Sequence, residues 1–440
     1  MSSLLSTPPS GGEPTMSAPG SRRHRRILVV EQDPVRRRAL QALGRELEKE
    51  WEFHWIEKVG DVWPSLAQRP CDAVLMDWRL EDEAAASLMA QLRQRYPLVV
   101  RLLRCTPSDA ELARRAVRVP VHVLLRGWDA ATTRDAIWRA FLLEDWLASE
   151  PLQQLIGRMR RWPVLPTLYN QIATELRSPT GSLEFVARLI SRDPVLTARV
   201  LHAVNSPVFG LAHQVTETVE AVLYLGVERV KSLVLFSGVL TQYDKATCPG
   251  FSVEQLWMHC MATGAHAMKL TVAETGEPRL GEMAFTAGLL HDVGMLLLAA
   301  NVPELYGRVL KQAEVRHQPI WALEREVLGA THAELGACLL GQWDLPLPII
   351  EAVGWHHQPG RSQTRVFSLL TAVHVGNAFD QEQKAGQAGV HVSLIDQEYL
   401  QWIGLLDRVN RWREACGCLR KISDEDPTEK ARRRRESKER

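Results

Sequence analysis

The chain has 440 residues, with 53 Lys and Arg against 52 Asp and Glu for a formal net charge of +1, and is 45% apolar and 24% charged. That length exceeds one ordinary core, because domains usually run to about 100–200 residues, so two domains with tails are expected. The composition excludes global disorder, and the charge balance excludes an overall field that would recruit nucleic acid or an anionic membrane.

Residues 1 to 25 are rich in Ser, Pro and Gly and close on Arg22, Arg23, His24 and Arg25 with no apolar run behind them, which reads as a disordered lead-in and not a secretion signal. Residues 26 to 148 alternate short apolar runs with helical stretches, the pattern of an α/β doubly wound domain. Ile27 to Val30, Ala73 to Met76, Val99 to Leu103 and Val121 to Leu125 are the expected strands. Asp33-Pro34 starts a helix, and 134 to 146 reads as a closing helix.

From 151 to 380 the period becomes helical, giving an all-α domain. Asp193-Pro194 opens a helix that closes near Asn205, Ala221 to Leu225 ends at Gly226, and Thr331 with Glu334 has capping-box spacing. Met283 to Ala300 is the most apolar stretch. His291 and Asp292 in its middle are too costly for lipid, so it is expected as one buried core helix and no membrane span. Residues 381 to 420 are expected as a helical C-terminal extension and 421 to 440 as a disordered charged tail. The seven cysteines are scattered, with only Cys416 and Cys418 close, and read as reduced cytosolic thiols.

In a doubly wound sheet the carboxyl ends of the strands carry the site, and there Glu31 and Asp33 follow the first strand while Asp77 ends a later one. Such an acidic pocket can hold Mg²⁺ through hard oxygen ligands. The pattern resembles the receiver domain of two-component response regulators. The resemblance implies Asp77 as phosphoacceptor, Mg²⁺ in the pocket and a sensor kinase as partner. The chain departs from it at Gln32, where receivers carry a second acid, and at Arg126-Gly127, where they carry Lys-Pro; the switch hydroxyl falls at Thr106 or Cys105. The competing reading is a pseudo-receiver that docks partners without being phosphorylated, with Asp33 serving only as an N-cap.

The helical half places His259, His291, Asp292, His332, His356 and His357 in apolar surroundings. Imidazoles and carboxylates are the ligand set of divalent transition metals, and such groups buried without partners cost several kcal/mol. The alternatives are a bound metal or a hydrogen-bonded structural cluster. His332 lies in a first helical turn, whose dipole is expected to keep its ring neutral. His266 shares a helix face with His259 but no motif.

Pro163-Val-Leu-Pro166, Asp193-Pro194, Ala203-Val-Asn-Ser-Pro207 with Phe209-Gly210, Leu225-Gly226, Trp257-Met-His259, Gly288-Leu-Leu-His-Asp-Val-Gly294, Thr331-His-Ala-Glu-Leu-Gly336, Trp343-Asp-Leu-Pro346 and His356-His357 follow one another in an order that resembles the HDOD branch of the HD superfamily. The resemblance implies a non-catalytic signalling output. The acid that completes the enzymes' metal set falls at Asn377, and no GYP signature follows Gly294.

The expectation is a cytoplasmic signal-transduction regulator of response-regulator type, whose HDOD domain binds a protein partner or a signalling ligand such as a nucleotide without catalysis. The alternative is a metal-dependent phosphohydrolase acting on a nucleotide or cyclic dinucleotide. Nucleic-acid binding through Arg22 to Arg26 or Arg432 to Arg435 is set aside, both being read as solvated tails.

Overall fold

The computed structural model describes residues 25–47, 51–77, 82–96, 99–105, 123–126, 134, 137–138, 140–141, 145–146, 149–176, 182–206, 211, 213–243, 248–343, 345–362, 364–387 and 394–418. The chain divides into two compact units, Met1–Trp138 and Arg139–Arg440, and the division falls inside the segment read as a closing helix.

In the first unit, strands β1 (Arg25–Val30), β2 (Trp51–Ile56), β3 (Ala73–Asp77), β4 (Val100–Cys105) and β5 (Val123–Arg126) alternate with helices α1 (Pro34–Leu47), α2 (Val62–Gln68) and α3 (Asp82–Arg95). All neighbouring strands are parallel, in the order β2-β1-β3-β4-β5. This is the doubly wound arrangement, with its topological switch between β1 and β3. β1 is buried on both faces, as a central parallel strand requires: Leu28 and Val30 pack with Val74, Met76, Leu88, Met89 and Leu92, while Ile27 and Val29 are buried on the other side. Arg25 and Arg26 are not tail residues, because both belong to β1. Arg26 is buried and donates from Nη1 to the Arg69 carbonyl at 2.5 Å. Residues 1–24, 419–440, Thr106 and Gly127 lie outside the described residues, as do the side chains of Asp77, Cys105 and Arg126.

Every described element of the second unit is a helix. It runs α4 (Glu150–Gly157), α5 (Thr167–Glu175), α6 (Leu183–Ser191), α7 (Pro194–Val204), α8 (Thr218–Leu225), α9 (Val227–Thr241), α10 (Val253–Thr275), α11 (Pro278–Leu290), α12 (Val293–Asn301), α13 (Pro303–Arg316), α14 (Ile320–Leu328), α15 (His332–Gln342), α16 (Leu347–Trp355), α17 (Leu369–Gln387), α18 (Gln397–Trp402) and α19 (Val409–Cys416). The expected helix starts are built as read. Asp193 Oδ1 accepts from the Val195 and Leu196 N–H groups at 3.0 Å, and Thr331 and Glu334 form a reciprocal capping box. Asn205 clamps the loop after α7 by pairing both ends of its amide with the Val215 backbone.

The stretch expected as one core helix is two. α11 stops at Leu290 and α12 starts at Val293, so His291 and Asp292 occupy the turn between them; 78% of the apolar segment is buried in the fold. Close helix approach sets the position of this turn. A Cβ on Gly288 would stand 2.7 Å from the Gly264 Cα, and one on Gly294 would stand 1.9 Å from the His332 carbonyl oxygen. Glycine at these places lets α10 and α15 close on the turn.

The boundary expected at 380 falls inside α17, and the residues after it pack on α10 and α17. Trp412 is fully buried against Phe367 and donates to Glu274 at 3.0 Å, while Arg413 donates to the buried Glu382 at 2.6 Å. Trp412→Ala is therefore expected to cost about 3–5 kcal/mol, the range for emptying a core aromatic site. Denaturant unfolding of the full chain checks this, and a cost below about 1 kcal/mol contradicts the anchoring role.

Candidate metal centre

Five helices, two of them through the turn that joins them, bring the predicted histidines together around one carboxylate. α10 supplies His259, the α11–α12 turn supplies His291 and Asp292, the first residue of α15 is His332, and the end of α16 supplies His356 and His357. Asp292 Oδ1 lies 3.1 Å from His332 Nε2 and 3.4 Å from His356 Nε2; its Oδ2 lies 3.3 Å from His291 Nε2 and 3.5 Å from His259 Nε2.

The far side of each ring explains this convergence. His291 Nδ1 donates to the Gly288 carbonyl at 2.6 Å and His356 Nδ1 to the Val353 carbonyl at 2.7 Å. His332 Nδ1 donates to Glu324 Oε2 at 2.6 Å and His259 Nδ1 to Asp380 Oδ2 at 2.5 Å. Carbonyls and carboxylates only accept, so all four Nδ1 atoms carry the hydrogen, and in neutral rings all four Nε2 atoms are lone pairs. Those lone pairs face an acceptor, Asp292, and face one another: His259 and His291 Nε2 are 3.2 Å apart, and His332 and His357 Nε2 are 3.1 Å apart. Asp292 Oδ1 and His356 Nε2 are buried with no hydrogen-bond partner among the described residues.

Acceptors turned inward on acceptors repel unless a cation sits among them. Two donor sets qualify, Asp292 with His332, His356 and His357, and Asp292 with His259 and His291. Ligand atoms about 2.0–2.2 Å from a metal lie roughly 3 Å apart, close to the separations here, and Nδ1 anchoring on carbonyls and carboxylates is the usual support of metal-bound imidazole. The residues fit a divalent metal.

Without metal, protons carry the balance. Burial opposes the Asp292 charge, but His291 and His332 outweigh it and hold the carboxyl well below the usual range. Burial likewise works against the His332 cation, yet Glu324 and Asp292 overcome it and raise the ring to about 10. The neutral His332 expected from the helix dipole is thus overturned, because two carboxylates within hydrogen-bond reach outweigh a half-charge at a helix end. Burial pushes His356 down to about 4, and burial with the neighbouring His356 and His332 pushes His357 well down. The Cys260 thiol is held far above its ordinary value by burial and by Asp292, so it stays protonated beside the cluster.

Three participants escaped the sequence reading. Asn377 does not reach the cluster and accepts from Gln381 at 2.7 Å; the carboxylate from α17 is Asp380, three residues on and thus on the same helix face. Glu324 reaches His332 from another helix. His374 stands outside the metal set, donating to the His356 carbonyl at 2.8 Å and accepting from the Asp396 N–H at 2.9 Å. His266 is also outside it, with Nδ1 facing the Gly376 carbonyl. In the first unit Glu31 is buried and accepts from the Asp33 N–H at 3.0 Å, while Asp33 caps α1 by accepting from Val35 N–H at 2.8 Å.

The protonation pattern has a pH signature in chelated protein. His356 has its folded value below the unfolded one, so its contribution to stability is full above about 6.5 and is lost as pH falls towards about 4. His332 has its folded value raised, so its contribution is full below about 6.5 and is lost as pH rises through about 10. The melting temperature of the metal-free chain is expected to peak near neutrality and decline on both sides, and His356→Gln should flatten the acid limb. A wild-type acid limb no steeper than that of the variant contradicts the assignment.

Comparison with known proteins bears on the same residues. The HDOD domain family model matches residues 162–359. A protein of Treponema pallidum is 29% identical over 218 residues, 49% of this chain; the match spans only 41% of that relative's own length. Among solved structures, an HDOD domain protein of Geobacter sulfurreducens is 20% identical, with a TM-score of 0.46 over 65% of this chain and 99% of that one. The MmoQ response regulator of Methylococcus capsulatus is 26% identical, with a TM-score of 0.33 over 58% of this chain and 98% of that one. With its ordered motifs, its histidines gathered on Asp292 and the family match, the segment 162–359 is an HDOD domain of the HD superfamily.

Proposed function

We propose that the chain is a cytoplasmic signal-transduction regulator of response-regulator type, in which the HDOD domain is an output unit holding a divalent metal and binding a protein partner or signalling ligand without turning it over. One observation carries the reading: the middle of the centre is buried, with only His259 and His357 at its margins partly exposed. His291 and His356 are fully buried and His332 is 2% exposed, so the ligands close on one another. Structural metal sites are closed in this way, whereas catalytic ones keep an open coordination position. A bound divalent ion would supply positive charge and Lewis acidity at Asp292. The protein's own part is to hold four rings by their Nδ1 hydrogens and exclude water. For the first unit we keep the pseudo-receiver reading, a domain that docks partners without being phosphorylated; if its pocket does work, Asp77 is the phosphoacceptor, with Glu31 and Asp33 contributing to a Mg²⁺ site and a sensor kinase as donor.

The second reading, a phosphohydrolase acting on a nucleotide or cyclic dinucleotide, is favoured by Asp380, a carboxylate of α17 that braces His259 from its Nδ1 side although the resemblance leaves an amide, Asn377, where the enzymes carry their late acid.

Elemental analysis of the purified full chain is expected to find a divalent transition metal, and chelation to lower the melting temperature. Asp292→Asn should retain none, and a metal-free wild type unresponsive to added Zn²⁺, Mn²⁺ or Fe²⁺ ends the metal reading. His291→Ala is expected to cost about 1–3 kcal/mol by stranding buried partners. If wild type hydrolyses cyclic dinucleotides or generic phosphodiesters with added metal, and His291→Ala loses this without melting earlier, the phosphohydrolase reading replaces the first. For the receiver-like unit, acetyl phosphate with Mg²⁺ is expected to give weak labelling or none, because Gln32 removes a metal-binding charge. Full labelling that Asp77→Asn abolishes contradicts that expectation and establishes the phosphoacceptor.

A further inference from the structure

Two of the rings at the centre lean on carboxylates, and the two carboxylates stand in different charge surroundings. Glu324 is fully buried, accepts from the His332 N–H at 2.8 Å and from His332 Nδ1 at 2.6 Å, and has no Lys or Arg partner among the described residues. Asp380 is shared. Its Oδ2 accepts from His259 Nδ1 at 2.5 Å and pairs at 2.6 Å with the ammonium of Lys384, one turn further along α17. Lys384 Nζ also stands 3.5 Å from His259 Nδ1. The ring N–H and the ammonium are both donors, so they do not bond to each other and instead divide one oxygen between them.

A carboxylate behind a ligating imidazole raises the basicity of the ring and its hold on a metal. Lys384 weakens that effect in two ways. It neutralises part of the Asp380 charge, and it sets a positive charge beside the ring whose other nitrogen would face the ion. His332 has no such neighbour. The donor sets differ in size as well: His332 belongs to the set of four with Asp292, His356 and His357, whereas His259 belongs to the set of three with Asp292 and His291. The Lys384 side chain is 52% exposed against 7% for Asp380, so the brace of the smaller set reaches the surface, while Glu324 behind the larger set does not.

We infer that Lys384, acting through Asp380, is a positioning residue that keeps the His259 donor set a weak, exchangeable metal site beside a tight one at His332. The inference rests on the metal reading and adds its regulation. Occupancy of the larger set is permanent, and occupancy of the smaller one follows the free metal concentration.

Metal release from the full chain tests it. The stripped protein is reloaded with Zn²⁺, or with Mn²⁺ or Fe²⁺ where Zn²⁺ is not taken up, at about pH 8, above the ordinary histidine range. It is then mixed with a chromophoric chelator that counts ions as they leave. A fast and a slow class are expected, and His259→Gln should remove the fast class while keeping the slow one. Lys384→Met should slow the fast class by about threefold or more. The slow class and the melting temperature should stay near wild type, because a half-exposed ion pair contributes little to stability. Lys384→Arg, which keeps the charge, should release its ions as wild type does. A lysine that merely held Asp380 in place predicts the opposite sign, since its loss would let the ion leave faster. A single class of ion, a fast class that Lys384→Met leaves unchanged or speeds, or a Lys384→Arg variant that behaves like Lys384→Met overturns the inference and leaves the metal reading standing. A chain that takes up none of the three metals overturns both.

Discussion

A buried carboxylate facing four imidazoles through their unprotonated sides is the constraint on which the second unit depends. Asp292 cannot stay ionised in that position without positive charge, and each ring is prevented from turning away by a hydrogen bond on its other nitrogen. The protein has fixed the acceptors and left the cation to be supplied. In the absence of metal that cation is a proton centred on His332; metal ligation requires a lone pair there, so the two occupants compete for the same nitrogen.

Holding five helical segments on one carboxylate requires backbones closer than side chains normally permit. Gly264 against Gly288 and Gly294 against the His332 carbonyl provide that approach, and the α11–α12 break turns Asp292 into it. The glycines of the Gly288 to Gly294 motif are thus as much part of the centre as its His-Asp pair: any side chain at either would force α10 or α15 outward and separate the nitrogens that Asp292 collects.

What was legible in the sequence was local. The Asp193 cap, the Thr331–Glu334 box and four of the five strands depend on residues a few positions apart, and they were placed to within about two residues of their observed ends. β2 was missed because Trp51–Ile56 has a single β-branched residue and carries its signal in aromatics on an edge strand. The histidines were legible through their ordered motifs. Their charges were not, since His332 is governed by Glu324 from another helix and by Asp292 from a turn forty residues earlier in the chain. Asp380 was hidden for a related reason: the resemblance puts the late acid at Asn377, and only the packing of α17 on α10 shows that Asp380, one turn further on, is the residue that reaches His259.

α17 joins matters that sequence similarity separates. The family match ends at residue 359, yet α17 starts at Leu369, carries the carboxylate that fixes His259, and is itself clamped by Arg413 and by the Asp396 backbone. The segment that the family model matches is consequently shorter than the piece that can travel. In a gene fusion or a recombination event joined at the end of the match, the transplanted module would arrive with every histidine of the centre but without the brace behind one of them. Architectures that inherit this module intact must inherit the helices behind it as well, down to the one that buries Trp412.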